Sequence, residues 1–238
     1  MKKYILAGLL CCSSAVLLLA QSTRYRDVQS RNDIALRLDL PKNFSANIQY
    51  QIRFIDNISS IGGHYGSLSL GYKLNKYLSF DADYRLAYFP SNDPTVNRFG
   101  LSLTGRYKYK KFTPSIRILS QRSFAHFLTD ETEVVRQTLR TRAELEYEIN
   151  KHVNVSLSTE PFWRFKNTGN YFWRLRNMAS VGWEYKKRQR VSANIMWQSE
   201  YNRNAPQDIL AFGLSWDYSM KIKSHKKKHK KNKSKHEN

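Results

Sequence analysis

The chain has 238 residues, 41% of them hydrophobic and 13% aromatic, with 40 Lys and Arg against 19 Asp and Glu for a formal charge of +21. That length allows one domain with a sizeable core or one large lipid-facing surface. Both cysteines, Cys11 and Cys12, lie in an apolar leader, so a chain cleaved after it has no disulfide and no cysteine metal site.

Residues 1–20 read as a signal peptide. Lys2 and Lys3 form its charged start, Tyr4 to Leu19 its apolar run, and Ala20 before Gln21 a cleavage point. The run is short for a spanning helix, and no later segment approaches eighteen uninterrupted apolar residues. A lipidated cysteine is disfavoured because Leu10, not a small residue, precedes Cys11.

From Asp33 to Met220 apolar and polar residues alternate almost without interruption, and helical spacing is nearly absent. The first run places Ile34, Leu36, Leu38 and Leu40 on one face. The second places Phe44, Ala46, Ile48, Tyr50, Ile52 and Phe54 there. Leu68, Leu70, Tyr72 and Leu74 follow, then Leu78 to Tyr88 against Ser79, Asp81, Asp83 and Arg85. Phe99 to Tyr109 alternate with Arg98, Ser102, Thr104 and Arg106, and 112–124 is blurred but similar. Segments 138–149, 152–165, 171–185, 190–201 and 208–220 complete eleven clear strands.

The connections alternate as well. PKN, NK, KK, NK and KR are short. IDNISSIGG, PSNDPTVN, AHFLTDETEV, KNTGN and RNAPQ are longer. Short turns on one side and longer loops on the other are the habit of outer-membrane barrels, whose turns are periplasmic. On that rule the first clear strand descends, so one ascending strand should precede it. Gln21–Ser30 is the candidate, although its alternation is poor. The expectation is therefore an all-β, closed antiparallel transmembrane barrel of about twelve strands over 21–220, with ten as the alternative.

Alternation alone does not decide which face is inside, because a soluble barrel turns its apolar face inward. The polar face carries Arg37, Asp39, Arg53, Asp81, Asp83, Arg85, Arg106 and Arg117, among others of both signs. A soluble barrel this wide would need large apolar groups or a ligand to fill it. Trp163, Trp173, Trp183, Trp197 and Trp216 share the apolar register of their strands. Trp163 and Trp173 fall high, Trp183 and Trp216 low, which resembles two aromatic girdles at the headgroup levels. The apolar face is therefore expected to meet outer-membrane lipid in a Gram-negative envelope.

Four stretches carry a family resemblance: GSLSLGYKLNKYLSFDADYRLAY, TPSIRILSQR, TLRTRAELEYEINKHVNVSLSTEPF and RLRNMASVGWEYKKRQRVSANIMWQSE. Over about residues 40–220 the chain resembles uncharacterised outer-membrane barrels of Bacteroidota, catalogued as a domain of unknown function. The resemblance implies an outer-membrane barrel and supplies no catalytic residues. The lysine-rich end and the ragged first strand fall outside it.

The lumen charges are the largest constellation: Arg140, Arg142, Glu144, Glu146, Glu148, Glu160, Arg174, Arg176 and Glu200. Ladder counting sets Arg142 opposite Glu160 and Arg174 opposite Glu200. They either line a polar channel or form a paired network that fills the barrel. The four arginines lie towards the loop end and the three glutamates of 144–148 lower, a field that favours anions at the outer mouth. Lipid hydrolysis would need a nucleophile with a base in reach. His64 with Ser67 and Ser123 with His126 are the nearest pairs, and the first falls on opposite faces. No enzyme activity, cofactor or metal is expected.

Residues 221–238 hold nine lysines and one glutamate, a net of +8, centred on Lys226, Lys227, Lys228, Lys230 and Lys231. Such a run is expected to be a disordered interaction tail. An exported chain would not meet nucleic acid, so anionic cell-wall polymers, anionic headgroups or another envelope protein are the expected partners. His225, His229 and His236 are expected to be solvated rather than metal-bound. The expected role is a structural or accessory envelope subunit or a narrow pore. The alternatives are a lipid-modifying enzyme and a soluble periplasmic ligand-binding barrel.

Overall fold

The computed structural model describes residues 24–90, 95–124, 136–165 and 169–222. They form β1 (Tyr25–Asp39), β2 (Phe44–Ile55), β3 (Ser60–Lys73), β4 (Leu78–Tyr88), β5 (Val96–Arg106), β6 (Phe112–Phe124), β7 (Arg136–Glu148), β8 (Val153–Phe165), β9 (Tyr171–Lys186), β10 (Gln189–Glu200) and β11 (Gln207–Lys221). Each strand pairs with its sequence neighbour, and β1 pairs with β11 to close the barrel. Period-two patterning produces this result directly, since every second side chain must share one face.

The barrel has eleven strands, not twelve or ten. The segment expected as an extra strand, Gln21–Ser30, instead contributes its described residues from Tyr25 on to the upper half of β1, which runs unbroken through Asp33. An odd number of up-and-down strands leaves the first and last pointing the same way, so the β1–β11 seam is parallel, from Tyr25 opposite Gln207 to Asp39 opposite Lys221. The upper half of β1 was hard to recognise because its outward positions include Ser30 and Asn32. The seam's paired residues skip Arg31 and Asn32. There the Asn32 side-chain oxygen accepts the Leu214 N–H at 3.1 Å, and its amide donates to the Ser30 hydroxyl at 2.9 Å. A polar outward residue thus satisfies a backbone donor that the seam leaves free.

The β2–β3 connection is only residues 56–59, shorter than the expected loop, because β3 already begins at Ser60. Asp56, Asn57 and Ile58 all take positive φ (53°, 55° and 66°), which reverses the chain tightly. The other four connections at this end are longer than most of the turns at the opposite end.

Apolar side chains point outward around the whole circumference. Ile34, Ile48, Leu70, Leu101, Ile116, Leu157, Val181 and Leu214 are all exposed. Aromatic rings bound this band at both ends. At the short-turn end Phe44 contacts Tyr72 (4.8 Å between centroids), Phe112 contacts Tyr147 (4.9 Å) and Trp183 contacts Tyr185 (5.7 Å). Trp216 Nε1 also donates to the Tyr185 hydroxyl at 3.2 Å. At the loop end Phe99 contacts Phe124 (5.7 Å), Trp163 contacts Phe172 (5.4 Å) and Phe172 contacts Tyr201 (5.1 Å).

Inside, one small apolar cluster of Met196, Ile209 and Ala211, with Met178 against it, lines β9–β11. The rest of the lumen is mainly polar. Gly213 has no room for a side chain, because a Cβ there would lie 2.7 Å from the Arg31 carbonyl oxygen and 2.6 Å from the Asn194 side-chain nitrogen.

Candidate functional site in the barrel lumen

A carboxylate on β8 organises one side of the lumen. Glu160 is 3% exposed. Arg140 of β7 donates from Nη2 to both its oxygens at 2.8 Å and from Nε at 3.1 Å. Arg117 of β6 reaches Oε1 at 3.0 Å, and Arg176 of β9 reaches Oε2 at 3.4 Å. One buried acid therefore serves three guanidiniums. The planar fork of arginine allows this, since each can meet a carboxylate edge with more than one N–H.

Ladder counting sets Arg142 opposite Glu160, but the β7–β8 ladder pairs Arg140 with Phe162 and Ala143 with Thr159 and does not pair the residues between them. The ion pair itself is diagonal. Arg140 reaches across to Glu160, while Arg142 turns along its own strand to Glu144 at 2.5 Å. Long side chains make diagonal contacts as readily as direct ones. Arg174 does face Glu200, as counted, at 2.6 Å, and Arg203 meets the other Glu200 oxygen at 2.7 Å. Gln198 accepts from Arg176 at 2.9 Å, and Gln121 from Arg140 at 3.2 Å.

Trp173 does not belong to the outer girdle. It is 7% exposed and lies in the lumen. The β8–β9 register shifts here: Phe162 pairs with Arg174 and Trp163 with Phe172, which leaves Trp173 as the extra residue of a bulge. Its ring is stacked between Arg174 (3.8 Å) and Arg164 (4.0 Å). The run Tyr171-Phe172-Trp173 breaks the alternation and was the available sign of that bulge. Trp163, Trp183, Trp197 and Trp216 point outward. Phe162, buried beside Trp173, offers its face to Arg140 (4.5 Å) and Arg176 (5.0 Å). These rings act as apolar spacers that hold the guanidiniums apart.

Towards the short-turn end the lumen widens into a cavity of about 720 Å³. Arg37, Lys73, Arg117 and Arg190 line it together with Asp39, Asp81, Asp83 and Asp217. On β7, Glu144 lies below Arg142. Glu146 lies opposite Ser156 and Thr113. Glu148 is bound by Lys108 at 2.5 Å. Arg140, Arg142, Arg174 and Arg176 thus lie above the β7 acids, while Arg37, Arg117 and Arg190 line the lower cavity together with its aspartates.

The opposite wall holds residues that the sequence reading did not single out as a site. Arg31, Arg53, Arg85 and Arg98 stand there, with the guanidiniums of Arg53 and Arg85 4.0 Å and 5.9 Å from the Tyr65 ring. Arg31 lies in the half-strand whose patterning was obscured.

His64 and Ser67 are not brought together. His64 contacts the Tyr50 hydroxyl at 2.7 Å, and the Ser67 hydroxyl accepts from Arg85 at 2.8 Å. His126, the signal segment 1–20, the tail lysines Lys226, Lys227, Lys228, Lys230 and Lys231, and the tail histidines lie outside the described residues.

No curated protein matches the chain. Among solved structures it is similar to an anion-selective porin from Comamonas acidovorans, at 12% identity and a TM-score of 0.39, covering 73% of this chain and 52% of that one. It is similar to outer-membrane expressed OmpT of Vibrio cholerae at 10% identity and a TM-score of 0.40, covering 66% of this chain and 54% of that one. It is also similar to the beta domain of the Bordetella autotransporter Brka at 14% identity and a TM-score of 0.41, covering 71% and 79%. The chain therefore spans little more than half the length of the first two. A family profile described as "Protein of unknown function (DUF2490)" matches residues 29–208, and the chain belongs to that family.

Proposed function

We propose that the chain is a monomeric outer-membrane barrel whose apolar girth sits in lipid and whose arginine-rich lumen forms a narrow, anion-favouring passage or filled support. One observation carries this reading. The outward face is apolar around its circumference and bounded by aromatic rings at both ends, while ionised side chains line the interior. Soluble monomers rarely expose apolar patches beyond a few hundred Å². Backbone groups in lipid must all be paired, which a closed barrel achieves. A structural or accessory role is favoured by the guanidinium–carboxylate pairing of the lumen, and His64 and Ser67 are split between faces.

In this reading the short turns face the periplasm, and residues 221–238 continue from the end of β11 on that side. Their lysines then contact anionic cell-wall polymers or an acidic envelope partner. Detergent extraction from outer membranes followed by heat-modifiable gel migration tests the location. Recovery in the soluble periplasm would overturn it. Deletion of 221–238 is expected to lower recovery of partners in a native pull-down, and unchanged recovery would remove the tail's role.

A further inference from the structure

Among the described residues, four lumen arginines have no carboxylate within ion-pair distance. Arg31 and Arg53 stand directly opposite each other across the β1–β2 ladder, and Arg85 and Arg98 do the same across β4–β5. Like charges directly opposite in a sheet oppose its stability. Among the described residues, none of the four has an Asp or Glu oxygen within 4.0 Å, unlike Arg117, Arg140, Arg174 and Arg176.

Their contacts are neutral. Arg31 donates to Gln29 at 2.8 Å, Arg53 to Gln51 at 2.8 Å and Arg85 to Ser67 at 2.8 Å. Among the described residues the buried Nε of Arg98 has no hydrogen-bond partner, as is also true of the Nε atoms of Arg117, Arg142 and Arg174. β3, between the two pairs, contributes Tyr65, whose ring lies 4.0 Å from Arg53 and 5.9 Å from Arg85. Arg98 is within electrostatic reach of Arg85, Arg140 and Arg53, and also of Asp83, which acts on it in the opposite sense. Asp33 already accepts from Gln49 (3.0 Å) and Ser215 (2.9 Å), and Asp27 from Gln29 (2.8 Å) and the Asn57 N–H (2.9 Å). Asp83, near Arg85, lies beyond ion-pair distance.

We propose that Arg53, Arg85 and Arg98, with Arg31 at the edge, form a binding site for a multiply charged tetrahedral oxyanion, phosphate or a phosphate ester, that enters through the lumen. Guanidinium forks match such oxygens, two at a time, and an anion between the two like-charged pairs removes their repulsion. Tyr65 keeps Arg53 and Arg85 apart so that both can face one ligand. The inference rests on the solvent-accessible lumen of the proposed barrel but not on any current through it.

The test uses the full chain in detergent micelles. Isothermal titration with sodium phosphate is compared with sodium chloride at matched ionic strength, alongside thermal unfolding by tryptophan fluorescence. Phosphate is expected to bind and raise the midpoint beyond chloride, and sulfate, also tetrahedral and divalent, to act similarly. Arg98→Gln is expected to weaken binding at least about tenfold, since a charge-assisted contact is lost. The same change should raise the phosphate-free midpoint by removing a like-charge pair. Arg122→Gln, on the outward face, should bind as the parent does. Absence of phosphate binding to the parent chain, or equal binding by Arg98→Gln, overturns the site. Failure of the membrane reading would appear in fractionation and leave this titration intact.

Discussion

Glu160→Gln removes the charge that three guanidiniums share while keeping the side chain's shape. Five hydrogen bonds of 2.8–3.4 Å from Arg140, Arg117 and Arg176 end on this carboxylate. The glutamine retains one acceptor oxygen but turns an amide towards donors. Breaking a buried pair from one side costs about 3–5 kcal/mol, because the stranded charge stays buried. With three charges stranded, a loss of about 3–5 kcal/mol is the expected minimum class of effect, tempered only by water reaching the half-open Arg117. Urea unfolding in lipid vesicles, followed by tryptophan fluorescence, measures it, and Trp173 lies near the affected cluster. Adding Arg140→Gln should recover part of the loss, since it removes one stranded cation. A loss below about 1 kcal/mol for Glu160→Gln would refute the reading of this carboxylate as the organising group, placing it with ordinary exposed pairs.

Three further outcomes follow from the barrel. Leu101→Arg puts a charge on the outward face midway along β5 and should cost about 2–4 kcal/mol in vesicles; a change within about 0.5 kcal/mol, as for an ordinary surface site, would favour the soluble barrel. Asn32→Leu leaves the Leu214 N–H without its acceptor at the parallel seam and should lower stability by about 1 kcal/mol. An unchanged urea midpoint would mean that another group takes over that donor. Asp81→Asn with Asp83→Asn removes two acids from the short-turn cavity and should move the reversal potential in planar bilayers towards anion selectivity. A fixed reversal potential would argue that ions do not pass through that cavity.

Alternation made eleven strands and their faces legible because each outward set is apolar over most of its length. It failed where function or geometry broke the pattern. Ser30 and Asn32 hid the upper half of β1, since an outward amide is needed to finish a parallel seam that period-two counting does not anticipate. Strand parity places Trp173 outside, whereas the bulge shifts the parity at this residue and turns it into the lumen. Glu160 and Glu200 were recognised as lumen acids, and Arg174 was matched to its partner. Arg140 was not matched, because direct opposition in a ladder does not decide between a facing and a diagonal contact for side chains this long.

The distribution of acids within the lumen carries the last step. Arg117, Arg140, Arg174 and Arg176, on β6, β7 and β9, converge on Glu160 and Glu200, while Arg31, Arg53 and Arg85, on β1, β2 and β4, meet amides, the Met196 thioether, a serine hydroxyl and a tyrosine ring among the described residues. A lumen that served only as filler would gain from acids on both walls, because each unopposed ladder pair weakens the sheet that contains it. The two walls therefore make opposite predictions for the same kind of change. Neutralising Glu160 should destabilise the barrel, and neutralising Arg98 should stabilise it in the absence of phosphate. If both changes destabilise the barrel equally, Arg98 is part of the filling. If their signs differ, the wall of Arg53, Arg85 and Arg98 retains unfavourable charge that only a ligand relieves.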